Sequence, residues 1–480
     1  MITAINFKPH VYSAGYNPVV WSFLSDENEN IDFSYVVDIY INAATGSTTP
    51  TYTLKQRPNQ VGVCTVDVSS IVQPFIELTN YSVEEGWNKN FRSSAEIAPS
   101  VFIKVGEEYI GGTGSTLTTF NGLGSTGSPA YFIGSLEQSA FPISVLPGAL
   151  PWEEAVASMA DADSNSYGFY QPYLMGATGS GDLALPGGKF LKRDSNDITV
   201  AIGDHHTLSF INWNYRFLPG TYGRPVQCIL YNAYGATGGL IETATYQNLV
   251  SVGGGPNTNA NYTTATWNND YAMLTFACGP KDLGIIPAGS QVDIVYYTIQ
   301  AYTKTTATSS TTPQTVASEL VTFTLDTNCQ TLYPVVRLSW LNDLGGRDYY
   351  NFNMFYELTS SSTEQTYSQN PLNWNSTTPV VTDPSANTSP NWMRGGAKSF
   401  NKVVTRTFTI QSDWLTQEYV DFLGAIPESP SVWAYIGDEV NPYTVTVDKA
   451  DYTYKNIKQV KMVQATFVCK ITKTQPKQNY

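Results

Sequence analysis

The chain has 480 residues and a formal net charge of -14 at pH 7, with 42% hydrophobic and 14% charged residues. The hydrophobic share suffices for packed cores and the length implies two to four domains, while the charged share falls well below the ordinary level of about a quarter. The acidic balance and the absence of any Lys/Arg run argue against a nucleic-acid partner, and no stretch approaches the roughly 20 apolar residues of a membrane span.

At the N-terminus, Met1-Ile-Thr-Ala-Ile-Asn-Phe-Lys-Pro has no basic region followed by an apolar run and a small-residue cleavage site. A protein made in a cytoplasm, needing no membrane of its own, is expected. Residues 1–112 read as a β-sandwich. Tyr35, Val37, Ile39 and Ile41 alternate with Val36, Asp38, Tyr40 and Asn42, the period of a strand with one buried face. Leu54-Lys-Gln-Arg leads into the turn signal Pro58-Asn59. Val63, Cys64, Val66 and Val68 form the next strand, and 101–105 a late one. Ser69 to Leu78 is apolar at mixed spacing, suited to a short helix or turn.

Residues 113–189 read as a connector rich in Gly, Ser and Thr. Within it, Pro151-Trp152-Glu153-Glu154 predicts a short helix ending near Met159, because Pro suits the first helical position and carboxylates complement the positive helix end. Residues 190–328 read as a second sandwich, with strands at 208–213, 226–231, 272–277, 292–302 and 320–325. In the fourth of these both faces are mostly apolar, as in a central strand or one covered on each side.

Residues 329–480 read as a sheet crossed by one helix. Tyr333-Pro-Val-Val-Arg-Leu-Ser-Trp-Leu is a strand, Asn342-Asp-Leu-Gly-Gly a turn, and Arg347-Asp-Tyr-Tyr-Asn-Phe-Asn-Met a returning strand. Residues 359–396 are mostly Ser, Thr, Asn and Pro and read as a long polar loop. A loop of that length is uncommon inside a compact domain, so it is expected to be an interaction arm or a segment given its structure by a neighbour. Residues 403–410 form a strand. Ser412 or Asp413 then caps a helix running to about Ala425, with Leu415, Tyr419, Phe422, Leu423 and Ile426 on one apolar face and Pro427 as its stop. Strands at 432–436, 443–447, 452–454 and 460–471 follow; the last sets Val463, Ala465, Phe467, Cys469 and Ile471 on one side.

Residues capable of chemistry are sparse. The five cysteines, Cys64, Cys228, Cys278, Cys329 and Cys469, are widely spaced and odd in number, which argues against disulfides and zinc and for inert thiols. The three histidines are His10, His205 and His206; the adjacent pair would point to opposite faces of a strand, and a turn or strand start after Asp204 explains it better than a metal site. Gly122-Leu-Gly-Ser-Thr-Gly matches a dinucleotide fingerprint literally, but Ser128-Pro129 and a β-like Tyr131-Phe-Ile follow where a helix is required. No cofactor is expected. Asp161, Asp163 and Asn165 have the alternate spacing of a calcium loop. The sixth position is Ser166 rather than Gly and the twelfth is Pro172 rather than Glu, which leaves them a weak metal candidate beside a plain polar loop. Glu107-Glu108 and Glu153-Glu154 are better read as a turn and a helix start than as paired catalytic acids. Most aromatics belong to cores and cross-strand pairs. Trp374 and Trp392 sit in polar, Pro-rich sequence with little apolar company and are the candidates for burial by a partner.

Three stretches carry a family resemblance. They are Tyr16-Asn-Pro-Val-Val-Trp with Tyr35-Val-Val-Asp-Ile-Tyr-Ile-Asn and Val66-Asp-Val-Ser-Ser-Ile-Val; Arg337-Leu-Ser-Trp-Leu-Asn-Asp-Leu-Gly-Gly-Arg-Asp-Tyr-Tyr-Asn-Phe; and the end of the chain from Asp413-Trp-Leu through Ser429-Pro-Ser-Val-Trp. Together they resemble structural proteins of tailed bacteriophages infecting Bacteroidetes, crAss-like phages among them. The resemblance implies a mainly β, multidomain chain of fibronectin-III or Ig-like sandwiches with a C-terminal sheet-plus-helix unit. It implies a non-enzymatic tail or baseplate component, assembled in the host cytoplasm and partnered by other virion proteins in a symmetric homo-oligomer. It supplies no catalytic residues. A receptor- or carbohydrate-binding fibre, contacting a host surface glycan, is the alternative. A depolymerase is disfavoured because no internal repeat announces a solenoid.

Overall fold

The structure is a computed structural model that describes residues 2–7, 9–10, 12–25, 28–29, 31–42, 49–76, 91–92, 98–110, 117–121, 143–151, 154, 168–175, 188–212, 226, 228–247, 273–285, 294–303, 315–326, 335–369, 396–437, 442–451 and 463–472. It is mainly β, with several sheets and one longer helix near the C-terminus. The chain divides into two compact units: residues 1–330, 337–351 and 421–431 form one, and 331–336, 352–420 and 432–480 the other.

In the first unit, Ile2–Phe7, Val20–Ser25 and Val63–Asp67 form a three-stranded antiparallel sheet. A second sheet runs in the order Tyr12–Ala14, Ile143–Leu146, Ser100–Ile110, Ile31–Ile41, Tyr52–Gln56, with Leu117–Asn121 also paired to Ser100–Ile110. One core takes Trp21 and Phe23 from the first sheet and Tyr35, Val37, Ile39, Ile103 and Val105 from the second. The alternation expected in 35–41 therefore holds on its inner face. Tyr40, assigned to the outer face, is also buried, because it stacks on Phe102 at 4.6 Å between ring centres beneath the Lys104 ammonium.

Residues 113–189 do more than connect. Leu117–Asn121 and Ile143–Leu146 extend the second sheet, and Leu174–Met175 joins a third, in the order Leu174–Met175, Thr207–Asn212, Met273–Ala277, Phe91–Arg92. The boundaries expected at 112 and 189 thus fall within sheets whose strands come from both sides of them. The helix expected from Trp152 lies outside the described residues except at Glu154.

The fourth sheet runs Asp197–Ala201, Val321–Asp326, Ile294–Thr303, Cys228–Gly235, Leu240–Gln247, with Thr315–Val316 beside Ile294–Thr303. Its core shares Leu208, Phe210 and Phe276 of the third sheet with Val200, Ile229, Tyr297, Ile299 and Phe323 of its own. Ile294–Thr303 is the central strand its two apolar faces predict. Tyr297, Ile299 and Ala301 face the core, and on the other face Thr298 is buried and Tyr296 stacks on Tyr234. Asp197–Ala201 and Leu240–Gln247 went unread in the sequence, because their short polar-apolar alternation resembles the loops around them.

The hairpin Val336–Leu341 and Arg347–Phe352 forms as expected. Its tip residue Leu344 enters a cluster with Tyr12, Leu146, Tyr170, Leu174 and Leu191. Residues 337–351 therefore belong to the unit formed by residues 1–330 rather than to a separate C-terminal domain.

The helix spans Gln417–Glu428, starting several residues later than expected. Ser412 does not cap it: its Oγ accepts from the Ala465 N–H at 2.9 Å, and Leu415 bridges Val463. Those backbones are held by the sheet. Val420, Leu423 and Ile426 are the buried face, Tyr419 is exposed, and Pro427 sits inside the last turn rather than beyond it.

In the second unit the strands run Val432–Ile436, Tyr443–Asp451, Thr466–Ile471, Gly396–Gln411, Phe355–Gln369, each antiparallel to its neighbours. The polar loop expected at 359–396 is corrected here: residues 359–369 are strand, paired to Gly396–Gln411 along their length. A hydroxyl-rich run without apolar periodicity gives no strand signal by itself; its ladder comes from a partner strand that lies beyond residue 395.

Candidate functional site

Among the described residues, a cluster of polar side chains gathers in the first unit, on the hairpin that carries the second stretch of the resemblance. Arg337 is buried. Its Nε donates to the His205 carbonyl at 2.9 Å, and Nη1 donates to Asp204 Oδ2 at 2.9 Å and to Asn351 Oδ1 at 2.6 Å. Nη2 lies 3.0 Å from His206 Nδ1. A guanidinium only donates, so Nδ1 accepts and the His206 ring is neutral with its proton on Nε2. Burial, with the Arg337 charge beside it, holds the His206 pKa well below the usual histidine range. Asp204 Oδ2 also accepts from Asn351 Nδ2 at 2.6 Å and the Ala201 N–H at 2.8 Å. Asp282 accepts from the His206 N–H at 3.0 Å, and its other oxygen is 2.5 Å from His205 Nδ1. Tyr349 closes the cluster: its hydroxyl meets Thr207 Oγ1 at 2.8 Å, and Arg337 lies over its ring.

The hairpin turn is fixed in a similar way. Arg193 forks onto Asp343, Nε to Oδ1 at 2.7 Å and Nη2 to Oδ2 at 2.6 Å, and Nη2 also donates to Glu154 at 2.9 Å. Asn342 Oδ1 accepts the N–H groups of Leu344 and Gly346, while its Nδ2 donates to the Leu191 carbonyl at 3.0 Å. Gly345 has φ of +95°, a left-handed conformation that favours glycine, and a Cβ on Gly346 would strike the Leu191 carbonyl. Asp348 is buried beside the Arg193 N–H, and burial pushes its carboxyl up to about 7. Arg347 Nη2 donates to Ser431 Oγ at 2.7 Å.

These groups brace one another. Arg337 spends its donors on protein acceptors, and His206 is fixed in one tautomer. Cys278, in the segment whose backbone N–H groups bond the His206 carbonyl, has its thiol pushed well above the usual range by burial. Cys64 and Cys469 are likewise buried and raised, to about 11 and about 12. All four described cysteines, Cys64, Cys228, Cys278 and Cys469, are buried, which disfavours the thiolate. His205 and His206 turn to different partners, and among the described residues no group of three or more His, Cys, Asp or Glu is placed to hold a metal. Glu107 and Glu108 lie in strand Ser100–Ile110, not in a turn: Glu107 is buried and accepts from Ser25 Oγ at 2.7 Å, and Glu108 pairs with Lys55 at 2.6 Å. Asp161, Asp163 and Asn165, the glycines 122–127, and Trp374 and Trp392 lie outside the described residues.

A second feature belongs to the second unit alone. Phe355–Gln369 and Gly396–Gln411 pair over fifteen positions. Thr466–Ile471 supports the inner strand only from Arg406 to Gln411. Among the described residues, the positions from Ser361 onward therefore form a two-stranded ribbon, and the outer strand is exposed from Glu357 to Ser368. Phe355–Gln369 is the last strand of the sheet, and no described strand lies against its outer edge. Leu358 and Tyr367 are 49% and 46% exposed. Such a ribbon is marginal in water by itself, and an unpaired row of N–H and C=O groups is a template for another strand. The sequence marked this region as an interaction arm, but its strand and its edge went unread. Trp414 also went unmarked, yet it is 57% exposed, and Tyr419 is 40% exposed.

No family profile matches the chain, and no curated protein matches it in sequence. Among the described residues, no helix is long and apolar enough to cross a membrane.

Proposed function

We propose that the chain is a non-enzymatic structural component of a tailed-phage virion, of the tail or baseplate, joined to its neighbours through β-domains and an extended arm. The observation that carries this reading is the two-stranded ribbon whose outer edge meets no described strand, a surface suited to strand addition by a partner. The braced hairpin supports it. The motif Arg337-Leu-Ser-Trp-Leu-Asn-Asp-Leu-Gly-Gly-Arg-Asp devotes its arginines and aspartates to internal bonds, which suits a part that transmits load rather than turns over substrate. The two faced sheets of residues 1–110 support the fibronectin-III-like reading of the first domain. Mass spectrometry of purified particles of the phage that encodes the chain tests the proposal. The expected result is a peptide yield at the level of the other tail proteins, and its absence from particles overturns the reading.

A receptor- or glycan-binding fibre is the second reading, favoured by exposed Trp414 and Tyr419, since exposed aromatic faces stack on sugars and anchor interfaces. Glycan-array binding lost on Trp414→Ala would move the assignment to this reading.

A further inference from the structure

We propose that the outer strand of the ribbon, Phe355–Gln369, pairs antiparallel with the same strand of a second copy of this chain, about a two-fold axis at Ser361. The inference rests on the reading of the ribbon as an assembly arm and not on the virion assignment.

Among the described residues, the edge lacks most of the devices that keep strands apart. Phe355–Gln369 contains no Lys, no Pro and no inserted residue. The irregularity in the ribbon places the extra residue, Phe400, on the inner strand. Natural edges are commonly blunted by such features, and this one is left regular for fifteen residues.

Charge and side-chain matching identify the occupant. The strand's only charges are Glu357 and Glu364, in a chain of net charge -14, so a second copy fits only if carboxylates avoid one another. In a two-fold antiparallel pair, facing residues share a face of the sheet, so their numbers are both odd or both even. Glu357 and Glu364 lie on opposite faces and never meet. With the axis at Ser361, Glu357 faces Gln365 and Glu364 faces Leu358 of the other copy. Phe355 then faces Tyr367, Thr359 faces Thr363, and Ser360 faces Ser362. Aromatic pairs and Thr–Thr pairs are favourable cross-strand neighbours. Moving the axis by one residue, to Ser360 or Ser362, loses both the aromatic and the Thr–Thr matches. Pairing would turn two marginal ribbons into a four-stranded sheet.

The test uses the full chain. Under mild oxidation Ser361→Cys is expected to form an intermolecular disulfide, because facing Cα atoms of an antiparallel pair are about 4.5–5.5 Å apart. Gln365→Cys, whose own copy lies eight residues along in this register, is expected to stay monomeric, with the wild type in parallel to account for native thiols. By sedimentation, Thr359→Lys with Thr363→Lys is expected to raise the dimer Kd at least ten-fold, and Thr359→Lys with Thr363→Glu to restore it. Both threonines are exposed, so an unchanged melting temperature shows that the fold is intact. Equal cross-linking by the two cysteine variants, or a wild type monomeric at all concentrations, overturns the proposal. A monomer that still binds other particle proteins overturns self-pairing and leaves the assembly reading standing. A dimer in this register, from a chain absent from particles, supports self-pairing and removes the virion assignment.

Discussion

Arg337 and Asp204, 133 positions apart in sequence, form a buried ion pair with 2.9 Å between Nη1 and Oδ2 and side chains only 5% and 10% exposed. Removing one partner of such a pair leaves the other charged in low dielectric. Arg337→Ala is expected to cost about 3–5 kcal/mol, read as a shift of the denaturant midpoint. Arg337→Lys is expected to recover only part of this, since a point charge cannot satisfy the His205 carbonyl, Asp204, Asn351 and His206 together. A loss below about 1 kcal/mol, the range of exposed pairs, would show that the cluster does not brace the hairpin.

Asp348 makes stability depend on pH in a defined direction. Burial raises its carboxyl to about 7 from its ordinary value of 3.8. As pH rises above about 4 the unfolded chain ionises first and binds fewer protons than the folded one, so this residue's share of stability falls until about pH 7 and is flat beyond. At one pH unit per about 1.4 kcal/mol, the loss is on the order of 4 kcal/mol at most. Asp348→Asn is therefore expected to melt above wild type at pH 8 and to converge with it near pH 4. His206 acts in the opposite direction: its folded pKa is depressed, so its contribution falls as pH drops through the unfolded value of about 6.5. Comparing Asp348→Asn with wild type across pH 4–8 isolates the Asp348 share, because the His206 share is common to both.

Much of this was legible in the sequence, and the parts that were not share a cause. The inner face of Ile31–Ile41, the central place of Ile294–Thr303 and the turn at Asn342-Asp-Leu-Gly-Gly each follow from a local pattern of side chains. What could not be read depends on partners far along the chain. Strand 359–369 is set by residues 396–411. The late start of the helix is set by Ala465 holding Ser412. The cluster around Arg337 gathers side chains from 204 to 351, none of which is distinctive in its own neighbourhood.

The hairpin turn gives a graded expectation. Gly345→Ala places an L side chain at a φ of +95° and is expected to cost about 1–2 kcal/mol. Gly346→Ala drives a methyl into the Leu191 carbonyl, a backbone group that cannot swing aside, and is expected to cost about 3 kcal/mol or more. Thermal or chemical melts of the two variants should rank them in that order. The reverse order would mean that the turn relaxes away from residues 191–193.

Two tryptophans should separate stability from recognition. Trp340 is fully buried and packs on Phe422 with ring centres 5.1 Å apart, so Trp340→Ala removes a large core side chain and is expected to cost about 3–5 kcal/mol. Trp414 is mostly exposed, and Trp414→Ala is expected to change stability by no more than about 0.5 kcal/mol. Its fluorescence should be quenched by iodide in the isolated chain while that of Trp340 is not. If the Trp414 face is covered in an assembly, that quenching disappears on association. The Trp414→Ala variant should then fold normally and associate at least ten-fold more weakly. Normal association by this variant would leave the ribbon edge as the interaction surface and Trp414 outside it.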